Sequence, residues 1–218
     1  YAIGEANFSD HGANRLGAGS LMQCSGEGYF ILPITIGDYL AGQIKTPRIS
    51  TDHPEFEVAE KAARDKIKKL MAVNGKQTPT TFHRRLGKIM WDYCGMVRNE
   101  EGLKKAAVLV KELEEEFWKD VKVVDTELEL NQELEKAGRV ADFFGIAKLM
   151  IQDALSRKES CGAHFREESQ TPDGEAKRID SEYAYVAAWE YAGDDKPQIL
   201  HREDLKFENV ELKERSYK

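Results

Sequence analysis

Residues 78–99 read Thr-Pro-Thr-Thr-Phe-His-Arg-Arg-Leu-Gly-Lys-Ile-Met-Trp-Asp-Tyr-Cys-Gly-Met-Val-Arg-Asn. Thr78 is a helix-capping residue, and Pro79 suits the first helical position because its missing N–H has no partner to lose there. Phe82, Leu86, Ile89, Met90, Tyr93 and Val97 then recur at intervals of three and four, which puts them on one helical face. The spacing predicts an amphipathic helix that closes at Asn99.

The pattern continues towards the carboxy terminus. Leu103, Ala106, Ala107, Val110, Leu113 and Phe117 mark a second stripe. Leu130, Leu134, Ala137, Ala141, Phe144 and Ile151 mark a third, running to about Arg157. Three such helices with short links predict an up-down-up bundle over 76–157. Upstream, 43–75 reads as a loop followed by a helix that starts at Pro54, capped by Asp52 or His53, and stops at Asn74-Gly75. Phe56, Ala59, Ala63, Ile67 and Leu70 give that helix a face to bury. The run from Ser20 to about Leu40 is also helical, with a bend expected at Pro33. Downstream, 158–218 begins as a polar, turn-rich loop. Tyr183–Tyr191 then alternates like a strand, Gly193-Asp194-Asp195 supplies a turn, and Gln198–Arg202 returns. Phe207, Val210 and Leu212 are a possible third strand, and the charged end from Lys213 is expected to fray. The fold class is therefore mainly α (α+β), a three-helix bundle with a carboxy-terminal β-hairpin.

Composition narrows the function. The net charge of −7, with 33% charged residues of mixed sign, argues against nucleic acid, which needs a clustered positive field. Cys24, Cys94 and Cys161 are far apart and form no metal-binding pair, so free thiols in a reducing, cytoplasmic compartment are expected. The most apolar run, Tyr29 to Thr35, falls well short of the ~20 residues of a membrane-crossing helix. Glu112, Glu114, Glu115 and Glu116 resemble a metal cluster, yet consecutive acids point around a helix and read as a solvated face. His83, Arg84 and Arg85 form a basic patch suited to an acidic partner surface.

The stretch built most clearly for chemistry is His11-Gly-Ala-Asn-Arg15-Leu-Gly-Ala18-Gly-Ser20-Leu21. Its glycines allow close backbone approach, and Ser20 can cap the helix that Leu21 opens. A helix start favours an anion or an electron-rich ring oxygen, and Arg15 offers a planar fork for a carboxylate. A plain glycine-rich turn with Arg15 in an ordinary ion pair is the bland alternative. No Gly-Lys-Ser/Thr follows, so this is not a phosphate loop of that type.

Together with Gly4-Glu5-Ala6, this stretch resembles the substrate-and-flavin segment of the succinate dehydrogenase/fumarate reductase flavoprotein subunits, with Gly19 where the family has asparagine. A second resemblance, Glu159-Ser160-Cys161-Gly162-Ala163-His164-Phe165-Arg166-Glu167-Glu168, follows in the expected order, with Cys161 in place of the family's arginine. The resemblance implies that Arg15 grips one carboxylate of succinate or fumarate with the Ala18 backbone beside it. His11 is placed in the same substrate group, supporting the loop rather than acting as acid or base. Glu5, Ser20 and Leu21 would contact FAD. His164 and Arg166 would make interdomain or subunit contacts.

The family's three-helix carboxy-terminal domain agrees with the bundle, so 1–42 is expected to be a remnant of the FAD-binding domain. The amino-terminal Gly-x-Gly-x-x-Gly element that would hold the FAD pyrophosphate is not in this sequence. The expectation is a carboxy-terminal piece, inactive alone, of a subunit that interconverts succinate and fumarate. Its partners would be an iron-sulfur subunit and membrane anchor subunits, placing it peripherally on the cytoplasmic face of the membrane without direct insertion. Two alternatives remain: a non-catalytic helical module docking on an iron-sulfur protein, and an L-aspartate oxidase-like flavoenzyme.

Overall fold

The computed structural model describes residues 19–124, 130–193, 196–209 and 211–213. The chain divides into two compact units. One takes 46–158 and 166–168, and the other takes the described residues before 46, those of 159–165 and those after 168.

The first unit is the helical bundle. Helix α3 (Pro54–Val73) is capped by His53, whose Nδ1 accepts the Glu55 amide at 3.3 Å, and it ends at Asn74 in the left-handed region (φ 44°). Helix α4 (Pro79–Cys94) starts as its cap predicts, with Thr78 Oγ1 accepting the Thr81 amide at 3.3 Å. Helix α5 (Glu100–Asp120) is capped by Asn99, which accepts the Gly102 amide at 2.6 Å. Asn131 does the same for α6 (Gln132–Ser156), accepting from Leu134 at 2.9 Å. Each cap satisfies an amide that has no carbonyl four residues back.

The three stripes converge. Phe82 and Leu86 of α4, Leu103, Ala106, Val110, Leu113 and Phe117 of α5, and Ala137, Val140, Phe144 and Ile151 of α6 are all buried in one core. At its centre the Phe117 ring meets Phe82 edge-on at 5.3 Å and Phe144 at 5.5 Å. Such pairs add to the burial term because ring edges are electropositive and ring faces electronegative.

Four expectations need correction. Helix α4 stops at Cys94, Val97 is exposed in a two-residue strand, β1 (Val97–Arg98), and Asn99 opens the next helix instead of closing this one. Leu130 is fully exposed with φ 56°, ahead of the Asn131 cap, so it takes no part in the third stripe. In α3 only Leu70 is buried and Phe56 is half exposed, because the helix engages the core only near its carboxy-terminal end. Ala107 is exposed, leaving α5 a narrower seam than its sequence suggests.

The second unit opens with α1 (Gly19–Gly26), a five-residue π turn (Glu27–Ile31) and α2 (Leu32–Ala41). The discontinuity expected at Pro33 takes the form of that π turn, immediately upstream of the proline. Pro33 has no N–H to offer the preceding turn, and its ring presses on the carbonyl four residues back, so a wider turn accommodates it. After 158 the unit contains one residue of β2 (Phe165–Arg166), a short α7 (Asp180–Tyr183), and an antiparallel hairpin of β3 (Tyr185–Glu190) and β4 (Ile199–Asp204). The register pairs Tyr185 with Asp204 and Glu190 with Ile199. Tyr183 closes α7 instead of opening the strand, and the described residues of 207–213 form no third strand. No described helix is long and apolar enough to cross a membrane.

Candidate functional site

Of the residues that the glycine turn assigns to substrate and flavin, Ser20 and Leu21 are described; Glu5, His11, Arg15 and Ala18 lie outside the described residues. Ser20 sits in the first turn of α1 and is 2% exposed, whereas Leu21 is 65% exposed. The first-turn amides of a helix have no acceptor within it, and this donor set suits an electron-rich ring oxygen. Of the eleven residues of the turn, only Gly19, Ser20 and Leu21 are described, and they form the first turn of α1. No group of three or more His, Cys, Asp or Glu side chains among the described residues could hold a metal ion.

The second motif is a polar construction. Glu159, Ser160, Arg166 and Ser169 are each at most 5% exposed, and with Ser20 they make up the buried polar residues among the described residues. Glu159 accepts the Ile179 amide at 2.8 Å, while the Ser160 amide and the Ser169 hydroxyl both donate to the Lys177 carbonyl, at 3.0 and 3.2 Å. Between them, Cys161 and His164 exchange backbone hydrogen bonds at 2.9 and 3.1 Å across Gly162, whose φ of 61° favours a residue without a Cβ. Gly162 and Ala163 are exposed at the tip, and Cys161 and His164 are half-buried at its base. The sequence motif includes Glu159 and Ser160 but assigns roles only to His164 and Arg166, and Ser169 lies just beyond it. The signal for Glu159, Ser160 and Ser169 was position alone, beside the Gly-Ala-His turn.

Arg166 turns to the bundle. Its Nη1 donates to the Ala154 carbonyl at 3.0 Å and the Arg157 carbonyl at 3.3 Å, at the end of α6, where a cation also meets the negative end of the helix dipole. Its Nε reaches Glu168 at 3.1 Å, and the other Glu168 oxygen accepts the Glu100 amide at the start of α5. Burial opposes ionisation of Glu168, but the Glu100 amide, its own amide and Arg166 together hold its carboxyl below the ordinary value. Glu167 accepts from the Asn99 side chain, and its amide donates to the Arg98 carbonyl at 2.8 Å.

One residue of the basic patch and one of the acidic run are partners of each other. Arg85 grips Glu116 with two nitrogens at 2.6 Å each, and Gln77 adds a bond to Glu116 at 2.7 Å and another to Asp120 at 2.9 Å. The hydrogen bonds from Arg85 and then Gln77 lower the Glu116 carboxyl to about 2. Glu114 pairs with Lys148 at 2.9 Å, and the His83 ring lies against Phe143 at 5.6 Å. Arg85 of the basic patch is thus paired within the bundle, while His83 and Arg84 are exposed. In the same way, Glu114 and Glu116 are paired rather than solvated alone.

A family model described as the fumarate reductase flavoprotein carboxy-terminal region matches residues 83–217. The chain belongs to this family. Over 206 residues it is 31% identical to the fumarate reductase flavoprotein subunit of Helicobacter pylori, covering 93% of this chain and 27% of that protein. It is 28% identical to the succinate dehydrogenase flavoprotein subunit of Bacillus subtilis, covering 76% of this chain and 28% of that one. Among solved structures, an Escherichia coli quinol fumarate reductase chain superposes with a TM-score of 0.73 at 24% identity, covering 92% of this chain and 32% of that chain. The chain thus spans about a quarter of the length of the curated relatives it matches. Family membership makes it part of an oxidoreductase flavoprotein whose carboxy-terminal domain is helical.

Proposed function

We propose that this chain is the carboxy-terminal part of an FAD-containing subunit that interconverts succinate and fumarate. The observation that carries this reading is the glycine turn His11–Leu21, opening onto α1 in a chain of the fumarate reductase flavoprotein family. Arg15 grips one carboxylate of the dicarboxylate, with the Ala18 amide beside it and His11 supporting the loop. The guanidinium fork matches a carboxylate bidentately and favours the charge that develops as a carbon-bound proton is lost. Glu5 hydrogen-bonds the FAD, and Ser20 and Leu21 present the start of α1 to the ring. When bound, FAD supplies hydride acceptance from one methylene while a base takes the proton from its neighbour. The proton-transferring group and the remaining substrate ligands come from elsewhere in the polypeptide, so the 218 residues alone are inactive in this reading. Electrons pass to an iron-sulfur subunit and on to quinone through membrane anchor subunits, with this protein peripheral on the cytoplasmic face.

The complete polypeptide should purify with the visible spectrum of a flavoprotein; a colourless protein that gains no flavin on reconstitution overturns the reading. In that polypeptide, Arg15→Ala should lower succinate-dependent dye reduction by about 10²- to 10³-fold, the effect of losing one transition-state donor of about 2.7–4 kcal/mol. Unchanged turnover would remove Arg15 from the site.

A further inference from the structure

Three of the four bundle helices start on side chains that carry no charge at any ordinary pH, the hydroxyl of Thr78 for α4 and the amides of Asn99 and Asn131 for α5 and α6. Helix α3 starts on an imidazole. His53 Nδ1 accepts the Glu55 amide at 3.3 Å, which it can do only while that nitrogen carries no proton. The neighbouring residues set this geometry. Pro54 holds the residue before it in the extended region, where His53 lies (φ −63°, ψ 133°), and has no N–H of its own, so the Glu55 amide is the first that the ring can meet. The Ser50 carbonyl accepts the His53 amide at 3.1 Å, and the Ser50 hydroxyl donates to the Asp52 carboxylate at 3.1 Å, which fixes the turn that presents the ring. The far end of α3 is anchored and this end is not. Leu70 is the helix's one buried residue, and Lys66, also in the carboxy-terminal half, pairs with Asp142 of α6. Phe56 and Val58 are 51% and 62% exposed, so at the start of α3 the cap and the backbone ladder are what keep the helix closed.

We propose that His53 makes the start of α3 a pH-sensitive element, wound back to Pro54 while the imidazole is neutral and shortened from that end when it is protonated. A protonated imidazole has two N–H donors and no acceptor, so the bond from the Glu55 amide is lost. It also places a positive charge at the positive end of the helix dipole. The ionisable groups of the same turn are acidic, Asp52 ahead of the ring and Glu55 and Glu57 in the first turn of α3, and no described residue forms an ion pair with His53. Their carboxylates offer a protonated ring acceptors, which the Glu55 amide cannot. The Phe56 amide keeps its bond to the His53 carbonyl at 3.0 Å, and the Leu70 and Lys66 anchors are untouched, so the change is confined to the amino-terminal turns.

Amide hydrogen exchange of the 218-residue chain reads this element directly. It should be followed at about pH 8 and about pH 5, which bracket the ordinary titration of an imidazole. After correction for the intrinsic pH dependence of exchange, protection over 55–60 should fall by about threefold or more on acidification, the size of a lost helix cap. Protection in the core of α4 and at the carboxy-terminal end of α3 should stay the same. His53→Asn keeps a capping acceptor that does not titrate, and its protection over 55–60 should be equal at the two pH values. His53→Ala has no acceptor and should stand at the low, acid level at both. A parent and a His53→Asn variant that respond alike to pH would overturn the proposal. So would opening of 55–60 only in step with the core of α4, since that is general acid destabilisation.

Discussion

Glu116→Gln and Arg85→Met, made singly and together, test whether the paired charges on α4 and α5 stabilise the bundle. The geometry is close to the best an ion pair can have: two parallel contacts of 2.6 Å, with Gln77 on the same carboxylate. The carboxyl falls from 4.5 to about 2, and converted directly such a shift is worth about 3 kcal/mol. That value is too large for this site. The Glu116 and Arg85 side chains are 37% and 42% exposed, so solvent screens the pair. Exposed pairs measure about 0.2–1 kcal/mol, and the bidentate fork places this one near the top of that range, about 1 kcal/mol. The sign follows from the direction of the shift. A carboxyl depressed on folding contributes fully above its unfolded value, and its contribution is lost as pH falls from about 4.5 towards 2. Urea unfolding of the four proteins should give a coupling energy of about 1 kcal/mol at about pH 7, reduced by more than half at about pH 3. A coupling below about 0.3 kcal/mol at neutral pH, or one indifferent to acid, would refute the reasoning.

Two further outcomes test the bundle itself. Phe117→Ala removes a fully buried ring in contact with Phe82 and Phe144, and should cost about 3–5 kcal/mol in denaturant unfolding; a loss under about 1 kcal/mol would mean the three helices do not share this core. Gly75→Ala would place a Cβ 2.1 Å from the backbone of Asp120, at the point where the Gly75 amide donates to Val121. Backbone cannot yield as a side-chain tip does, so the melting temperature should drop by the equivalent of at least about 1–3 kcal/mol. An unchanged melting temperature would show that this link is not held against α5.

Local chemistry was legible in the sequence, and long-range pairing was not. The Thr78 cap, the proline after it and, Ala107 and Leu130 apart, the stripes of α5 and α6 depend on neighbours within a few positions, and they form as their spacing predicts. Asn99 shows where such reasoning divides. Asparagine suits either end of a helix, and only the preceding Gly95–Arg98 segment, which leaves the α conformation, assigns it to the start of α5. Arg85 and Glu116 are 31 positions apart, and Arg166 lies 12 from the carbonyl of Ala154, so no periodicity connects them. Phe56 and Leu130 failed for the opposite reason, being apolar residues at the right spacing in places the core does not reach.

The π turn at Glu27–Ile31 carries a consequence for how this part of the molecule can change. A π turn amounts to one extra residue threaded into a helix, and each residue of an α-helix advances the azimuth by about 100°. The direction in which Ser20 and Leu21 face, measured from α2, is thus set by a phase shift that Pro33 imposes on the helix. Deleting one residue from 27–31 would turn the helix start relative to α2 by about that angle. Every side chain at the helix start would be kept and all of them aimed elsewhere, so what α1 presents depends on the length of this segment.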